Sequence, residues 1–358
     1  MTESTIPQWQ DRVRAAAAMR TPICIRGGGT KAFYGEAEHG ELFETRGFEG
    51  IVDYEPTELV VTARAGTTLL ALEQTLASAG QMLGFEPPHY AAGATLGGTI
   101  AAGLSGPRRP YTGAVRDFVL GARIVDGRGD DLAFGGRVMK NVAGFDVARL
   151  MCGALGTLGI VCEASLKCLP RPRSEATRAF ELSADEAIRR VNEWGGKPLP
   201  LSATCFLHGR LYVRFSGAEP AVAAALARLG GEPVNDDAEF WRDIRDQRHS
   251  FFARAHEGAP LWRLSVKSTS PHADLGGEQM IEWGGALRWL EGGPRVDASR
   301  LRAWAAAHGG HATLFRAADK SQGVFHPLAA PLAAIHARLK AEFDPHGILN
   351  PGRVFTTA

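Results

Sequence analysis

The chain has 358 residues, a formal net charge of +1, 45% hydrophobic residues and 22% charged ones. Such a length supports more than one domain, each with its own core. The near-neutral, intermixed charge gives no electrostatic case for nucleic acid or a membrane surface, and no apolar run approaches the ~20 residues of a membrane span.

The N-terminus, MTESTIPQWQDR, lacks the charged and apolar regions of a secretory signal. Cys24, Cys152, Cys162, Cys168 and Cys205 make an odd number with no CxxC pair. That fits reduced thiols in a cytoplasmic protein and speaks against a cysteine-ligated iron–sulfur cluster held by this chain. Trp9, Val13, Ala16 and Ala17 recur at helical spacing over residues 7–20, and Thr21-Pro22 ends that helix. Ile23-Cys24-Ile25 reads as a strand running into Arg26-Gly27-Gly28-Gly29-Thr30-Lys31. Three glycines expose backbone N–H groups between two cations, which suits a phosphate, although the spacing is neither GxGxxG nor a Walker A loop. Strands follow at 50–54 and 59–66, then a helix over 69–79 that Thr67 and Thr68 cap.

Residues 91–113, AAGATLGGTIAAGLSGPRRPYTG, combine glycines, small hydroxyl side chains and two arginines with no acid. They read as a second glycine-rich loop, with Thr95, Thr99, Ser105 and a run of N–H groups turned to an anion. His89 and Tyr90 lead into it. Strands at 118–125 and 132–134 are joined by the turn Asp126-Gly127-Arg128-Gly129. A third glycine-rich segment starts at Lys140-Asn141-Val142-Ala143-Gly144, continues as a helix to Met151 and runs from Gly153 to Gly159 before a strand at 160–167. Pro170-Arg171-Pro172-Arg173 marks a domain boundary.

Beyond it come a strand at 178–182, a capping box at Ser183-Ala184-Asp185-Glu186 opening a helix through Trp194, strands at 203–207 and 211–215, and an alanine-rich helix at 219–229. This βαββα order implies an antiparallel sheet with helices on one face. A polar helix over 237–255, strands at 261–267, 286–290 and 312–315, a helix at 298–307 and an amphipathic helix at 328–343 complete the chain. The tryptophans of this half read as core or subunit contact, and Cys152 and Cys162 as buried small hydrophobes.

Residues 26–31, 91–113 and 153–161, with the terminal Phe343-Asp344-Pro345 and Leu349-Asn350-Pro351-Gly352, resemble the FAD-binding domain of the vanillyl-alcohol oxidase / p-cresol methylhydroxylase (PCMH) type. More narrowly, RGGGTKAFYG, KNVAGFD and GHATLFR are similar to the E-subunit family of bacterial glycolate oxidases (glycolate dehydrogenases). The resemblance spans nearly the whole chain. It implies an α+β fold: a bipartite PCMH-type FAD-binding domain over 1–172 with its two subdomains split near 56, an antiparallel-sheet, ferredoxin-like cap over 173–322 covering the flavin ring, and a segment, 323–358, that returns to the FAD domain. By the same resemblance, Arg26, Gly27, Gly28, Gly29 and Thr30, together with Thr95, Leu96, Gly97 and Gly98, would hold the pyrophosphate through backbone N–H groups. Ala102, Gly103, Arg109, Tyr111 and Gly113 would approach the ribityl chain and isoalloxazine, and Asp117 would orient that loop. Gly156, Gly159, Ile160 and Val161 would contact the adenosine half. The FAD would be non-covalent, since the first loop has no His or Cys where some relatives attach it.

The implied function is that of an FAD-binding subunit of a glycolate oxidase complex. Glycolate would be oxidised to glyoxylate, with electrons passed to an acceptor other than oxygen. The implied partners are a larger homologous FAD subunit and an iron–sulfur subunit, and the substrate is a small 2-hydroxy acid. The chain would be cytoplasmic, reaching the inner membrane only through its partners. Catalytic residues are not identified by sequence. The candidates are Lys140, between two flavin segments; Arg263 and Lys267, four apart on one strand and so on one face, where they could clamp a carboxylate; and Arg316 after another strand. Each also reads as a solvated cation. No metal is expected, because His308 and His311 have no evident third ligand. Two other functions stay open: a self-sufficient FAD-dependent 2-hydroxy-acid dehydrogenase of the D-lactate kind, and a structural partner that docks the catalytic flavin subunit.

Overall fold

A computed structural model describes residues 5–136, 145–293 and 296–354. The chain divides into two compact units: one comprises Met1–Ser105, Gly113–Pro170 and Pro327–Ala358, the other Gly106–Thr112 and Arg171–His326.

The first unit opens with helix α1 (Ile6–Met19), formed because Ile6, Trp9, Val13 and Ala16 repeat at the helical period and bury one face. Strand β1 (Ile23–Arg26) then pairs in parallel with β2 (Glu41–Glu44), a strand the sequence did not announce. The main sheet has β3 (Ile51–Glu55), β4 (Val60–Arg64), β5 (Val119–Val125), β6 (Asp131–Gly135) and β7 (Ile160–Lys167), all antiparallel, in the order β3-β4-β7-β5-β6. Residue 56 therefore lies inside one hairpin of this sheet, and β1–β2 is the part set apart from it. Helix α2 (Leu69–Ser78) is capped by Thr68 Oγ1, which accepts the Ala71 N–H at 3.2 Å. Its Leu69, Leu72 and Leu76 share a core with Phe85, Ile100, Phe118 and Leu166.

Two expectations fail here. Part of the second glycine-rich loop is a helix, α3 (Leu96–Ala102), and the helix expected up to Met151 is a single 3-10 turn, Ala148–Met151. Lys140 and Asn141 lie outside the described residues.

The last helix falls where the amphipathic pattern put it, at Ala330–Phe343, but none of its residues is buried, and Leu332 and Ile335 are 44% and 48% exposed. Its C-terminal end is fastened through Lys340. Lys340 Nζ donates to Thr157 O and Leu349 O, both at 2.8 Å, and pairs at 2.5 Å with Asp344, whose carboxylate is fully buried. Asp344 in turn accepts the N–H groups of Ile348 (3.1 Å) and Leu349 (2.8 Å). Burial holds the Lys340 pKa down, and Asp344 opposes that shift. The tail leaving this latch runs parallel to β1, with Ile23 N–H to Ile348 O at 2.7 Å and Asn350 N–H to Ile23 O at 2.9 Å.

The second unit is built on an eight-stranded antiparallel sheet. Its elements are β8 (Ser174–Glu181), α4 (Ala184–Gly195), β9 (Leu201–Leu207), β10 (Arg210–Gly217), α5 (Glu219–Leu229), β11 (Leu261–Ser265), β12 (Glu278–Glu282), β13 (Leu287–Glu291), α6 (Ala298–Ala307) and β14 (His311–Arg316). After the edge pair Glu232–Pro233 the order is β8-β10-β9-β12-β13-β11-β14. Helices α4 and α5 cover Leu211, Val213 and Phe215 through Ile188, Val191, Trp194 and Val222, while α6 covers Trp262, Leu264, Leu290 and Leu314. The helix expected over 237–255 breaks at Asp246, because Gln247 takes φ +54; a 3-10 turn, Ser250–Phe252, and a short helical turn, Ala253–His256, follow. Strand β11 ends at Ser265, and Lys267 belongs to the turn closed by the Ser270 N–H on its carbonyl at 3.0 Å. Arg263 and Lys267 thus do not share a strand face.

Two predictions follow from these cores. Lys340→Met strands the buried Asp344 carboxylate and should destabilise the chain by about 3–5 kcal/mol in denaturant unfolding, with Lys340→Met/Asp344→Asn recovering part of the loss; equal stability of Lys340→Met and wild type would refute the latch. The second concerns His249 and His326, both held below the ordinary imidazole range chiefly by burial. The fold favours their neutral forms, so the unfolded chain binds more protons below its own pKa of about 6.5. The melting temperature should therefore rise as the pH is raised towards about 6.5 and level off above; a fall on that approach would contradict the burial of these rings.

Candidate functional site

Strand β1 delivers Arg26 to a cleft in the first unit, lined by residues 25–32, Glu38, Thr95, Gly98, Ala101, Ala102, Leu155, Asn350 and Arg353. The loop after Arg26 must be glycine for packing reasons as much as for any ligand. A Cβ on Gly28 would lie 1.8 Å from Gly93 O, and one on Gly27 would lie 2.5 Å from Thr95 Oγ1. Gly29 takes φ +70. The two glycine-rich segments are thereby stacked backbone on backbone. Among the described residues, the N–H groups of Gly27, Gly29 and Thr30 meet no acceptor. Arg26 Nε is buried with no hydrogen-bond partner. Unmet donors beside a cation are what an anion requires.

The second segment contributes differently from the expectation. Thr95 caps α3, its Oγ1 accepting the Gly98 N–H at 3.3 Å, while Leu96 N–H donates to Thr67 O (2.9 Å) and Gly97 N–H to Ala65 O (2.8 Å). The N–H groups of residues 96–98 are therefore engaged within the protein, and this segment lines the cleft with Thr95, Gly98, Ala101 and Ala102 rather than donating through Leu96 and Gly97. Gly97 is small because a Cβ there would lie 2.7 Å from Ala65 Cβ.

Three lining residues were not foreseen as site residues. Asn350, at φ +42, accepts the Ile25 N–H at 2.7 Å and donates to Leu155 O at 2.6 Å, so the tail, β1 and the third glycine-rich segment meet through one amide. Arg353 is buried and donates to the carbonyls of Ala32 (2.7 Å), Tyr34 (2.6 Å) and Glu36. Glu38 pairs with Arg26 and lies 3.7 Å from Arg353. The Glu38 hydrogen bond raises the Arg26 pKa, whereas burial lowers that of Arg353. The Leu349-Asn350-Pro351-Gly352 motif signalled Asn350 without its role; nothing in the sequence pointed to Glu38.

Of the other residues expected at a cofactor, Gly103 (φ +67) packs on Gly153, and Asp117 accepts the Ala114 N–H at 2.8 Å beside Gly113 (φ +109). Gly156 packs on the Asn350 amide and Gly159 on Ile124, while Ile160 and Val161 are core residues; these support the cleft and do not line it. Arg109 and Tyr111 belong to the second unit. The Arg109 guanidinium lies 4.5 Å from the Trp283 ring centroid, and Tyr111 packs against the α4–α5 core with its hydroxyl on Thr204. Burial pushes the Tyr111 pKa to about 12. An apolar ring and a planar cation find aromatic and aliphatic partners there, which the glycine-rich sequence around them concealed.

In the second unit, Arg263 stacks 5.1 Å from Trp283 and 6.0 Å from Trp289, and among the described residues it pairs with no carboxylate. Trp283 is held at φ +57 ahead of Gly284 and Gly285, with its Nε1 donating to Gly106 O at 3.1 Å. Lys267 is exposed, and Arg316 reaches Gln247 Oε1 at 3.5 Å. His89 pairs with Glu73 at 3.1 Å, and Tyr90 packs edge-on to Phe33. His308 Nδ1 bonds Trp304 O at 2.7 Å, and among the described residues no three His, Cys, Asp or Glu side chains converge as a metal site. All five cysteines are unpaired thiols, with Cys152 and Cys168 pushed by burial to about 12. Among the described residues no helix is long and apolar enough to cross a membrane.

Residues 4–134 match a family model described as FAD binding domain, and residues 325–354 one described as FAD linked oxidases, C-terminal domain. The glycolate oxidase subunit GlcE of Escherichia coli (strain K12) is 48% identical over 345 residues, 96% of this chain and 96% of its own. The glycolate oxidase subunit GlcD of Bacillus subtilis (strain 168) is 35% identical over 49% of this chain and 37% of its own length. A D-lactate dehydrogenase of Archaeoglobus fulgidus is 30% identical over 51% of this chain and 41% of its own. Among solved structures, an alkyldihydroxyacetonephosphate synthase superposes with TM-score 0.64 at 17% identity, over 96% of this chain and 74% of its own, a likeness of fold.

The stacking of the two glycine-rich segments predicts that Gly28→Ala destabilises the chain by about 3 kcal/mol in urea unfolding. Gly136→Ala, where a Cβ meets nothing within 4 Å, is the control. Equal effects of the two substitutions would show that the approach of Gly28 to Gly93 is not tight.

Proposed function

This chain belongs to the FAD-binding oxidoreductase family of the vanillyl-alcohol oxidase / PCMH type, and from that membership we propose that it is the FAD-binding subunit of a glycolate oxidase (glycolate dehydrogenase) complex. The observation that carries the reading is the 48% identity over 96% of both chains to a protein of that description.

The first unit's cleft fits the cofactor. A pyrophosphate requires N–H donors and a cation, and the unmet N–H groups of Gly27, Gly29 and Thr30 stand beside the unpartnered Arg26 Nε. These residues would hold the pyrophosphate, with Thr95, Gly98 and Ala102 giving a small-residue wall. Among the described residues no His or Cys lines the cleft, which supports FAD held without a covalent bond. When bound, FAD supplies a two-electron acceptor for a 2-hydroxy acid. The chain's own contribution on the substrate side is Arg263. Its guanidinium is oriented by the Trp283 and Trp289 faces and suits bidentate binding of a carboxylate. Lys140, Lys267 and Arg316 are secondary candidates for the same charge. Domain roles follow: 1–172 with 323–358 for FAD, 173–322 for the substrate side.

A larger homologous FAD subunit and an iron–sulfur subunit complete the proposed complex. Its electrons leave to an acceptor other than oxygen, and the chain works in the cytoplasm. The local likeness to a second glycolate oxidase subunit supports a homologous flavin partner.

The test is the visible spectrum of the purified full chain. Flavin absorbance is expected, released to the supernatant on acid precipitation, with no bleaching by glycolate until the partner subunits are added. Bleaching of the isolated chain by glycolate or D-lactate would replace this reading with a self-sufficient dehydrogenase. A folded chain without flavin would make it a structural partner.

A further inference from the structure

Among the described residues, the charged side chains lining the cleft are three cations and one acid, Glu38. Arg26, Lys31 and Arg353 bring three positive charges and Glu38 removes one, leaving a formal lining charge of +2. The carboxylate is held in place: it pairs with Arg26, and its other oxygen lies 3.7 Å from Arg353, which three backbone carbonyls fix. Glu38 cannot swing away without leaving both guanidiniums. It therefore opposes every anion that enters, and anchoring of the β1 loop does not require that opposition, since Arg353 already caps the loop carbonyls.

We infer that Glu38 sets the charge selectivity of the cleft, matching it to a dinucleotide pyrophosphate diester and against nucleotides ending in a free phosphate. A pyrophosphate diester carries two negative charges, equal to the lining excess. A terminal phosphate adds about one more near neutral pH, because its second ionisation lies near pH 6. Each extra charge meets the Glu38 carboxylate in a partly buried site, at a cost of roughly tenfold in affinity. The inference rests on reading this cleft as the FAD site.

The test measures competition with FAD for the flavin-stripped full chain, without divalent metal, by ADP-ribose, ADP and ATP, followed by flavin fluorescence. In the wild type, affinity should fall roughly tenfold from ADP-ribose to ADP and again to ATP. In Glu38→Gln, relative to FAD and ADP-ribose, ADP should gain about tenfold and ATP about a hundredfold, so that the order flattens or inverts. A wild-type series that is flat or rises with charge overturns the inference, and needs no variant to fold. A Glu38→Gln variant that shifts all ligands by one factor also overturns it and leaves Glu38 a structural partner of Arg26. A wild-type chain that takes up no FAD sinks the cofactor reading itself, and this inference with it.

Discussion

The side chain of Asn350 is the joint on which the cleft depends. Its carbonyl oxygen receives Ile25 N–H and its amide gives to Leu155 O, contacts spanning 325 and 195 residues of sequence. Loss of either would leave a buried backbone group without a partner. Ordinary secondary structure could not make the joint, because the three segments it gathers are glycine-rich or proline-bounded and have no ladder of their own beyond the short parallel pairing at β1. Everything behind Asn350 serves to aim it: Lys340 and Asp344 fix the preceding turn, and Ile348 and Leu349 enter the core beside Trp9 and Phe43.

Glycine has two separate uses in this cleft. At Gly28 and Gly97 the missing side chain lets protein touch protein. At Gly29 the backbone turns through positive φ and leaves a donor unmet. The first use builds a rigid wall and the second leaves it chemically incomplete. The cations follow the same division. Arg353 is consumed by loop carbonyls, whereas Arg26 keeps a buried, unpartnered Nε.

Long periodic elements were legible in sequence. Helices α5 and α6 and strand β7 fall at the expected residues, since apolar spacing, glycine stops and a β-branched run agree there. Strands β2 and β12 were not, being short with charged ends, so pairing rather than pattern creates them. Helix α3 was hidden by Gly97 and Gly98, poor helix formers that here sit in the first turn under a Thr95 cap. At the site, the first loop was readable because its chemistry is local. Glu38 and Asn350 were not, because their meaning lies in partners far along the chain. Arg109 and Tyr111 show the reverse problem: a contiguous motif whose members fold into different units.

The first unit is discontinuous, and this has a consequence for its synthesis. After Pro170 the ribosome must produce Arg171–His326 before the tail that completes β1 can emerge. At ordinary elongation rates that interval is roughly 10–30 s. Throughout it, the edge of β1 that later receives Ile348 and Asn350 is an open strand edge on a nascent chain. The second unit, by contrast, has all its strands in one continuous stretch and can close as it appears. The part of the molecule that begins first is therefore the part that finishes last, and its exposure to chaperones and stray strand pairing is set by the length of what is inserted into it.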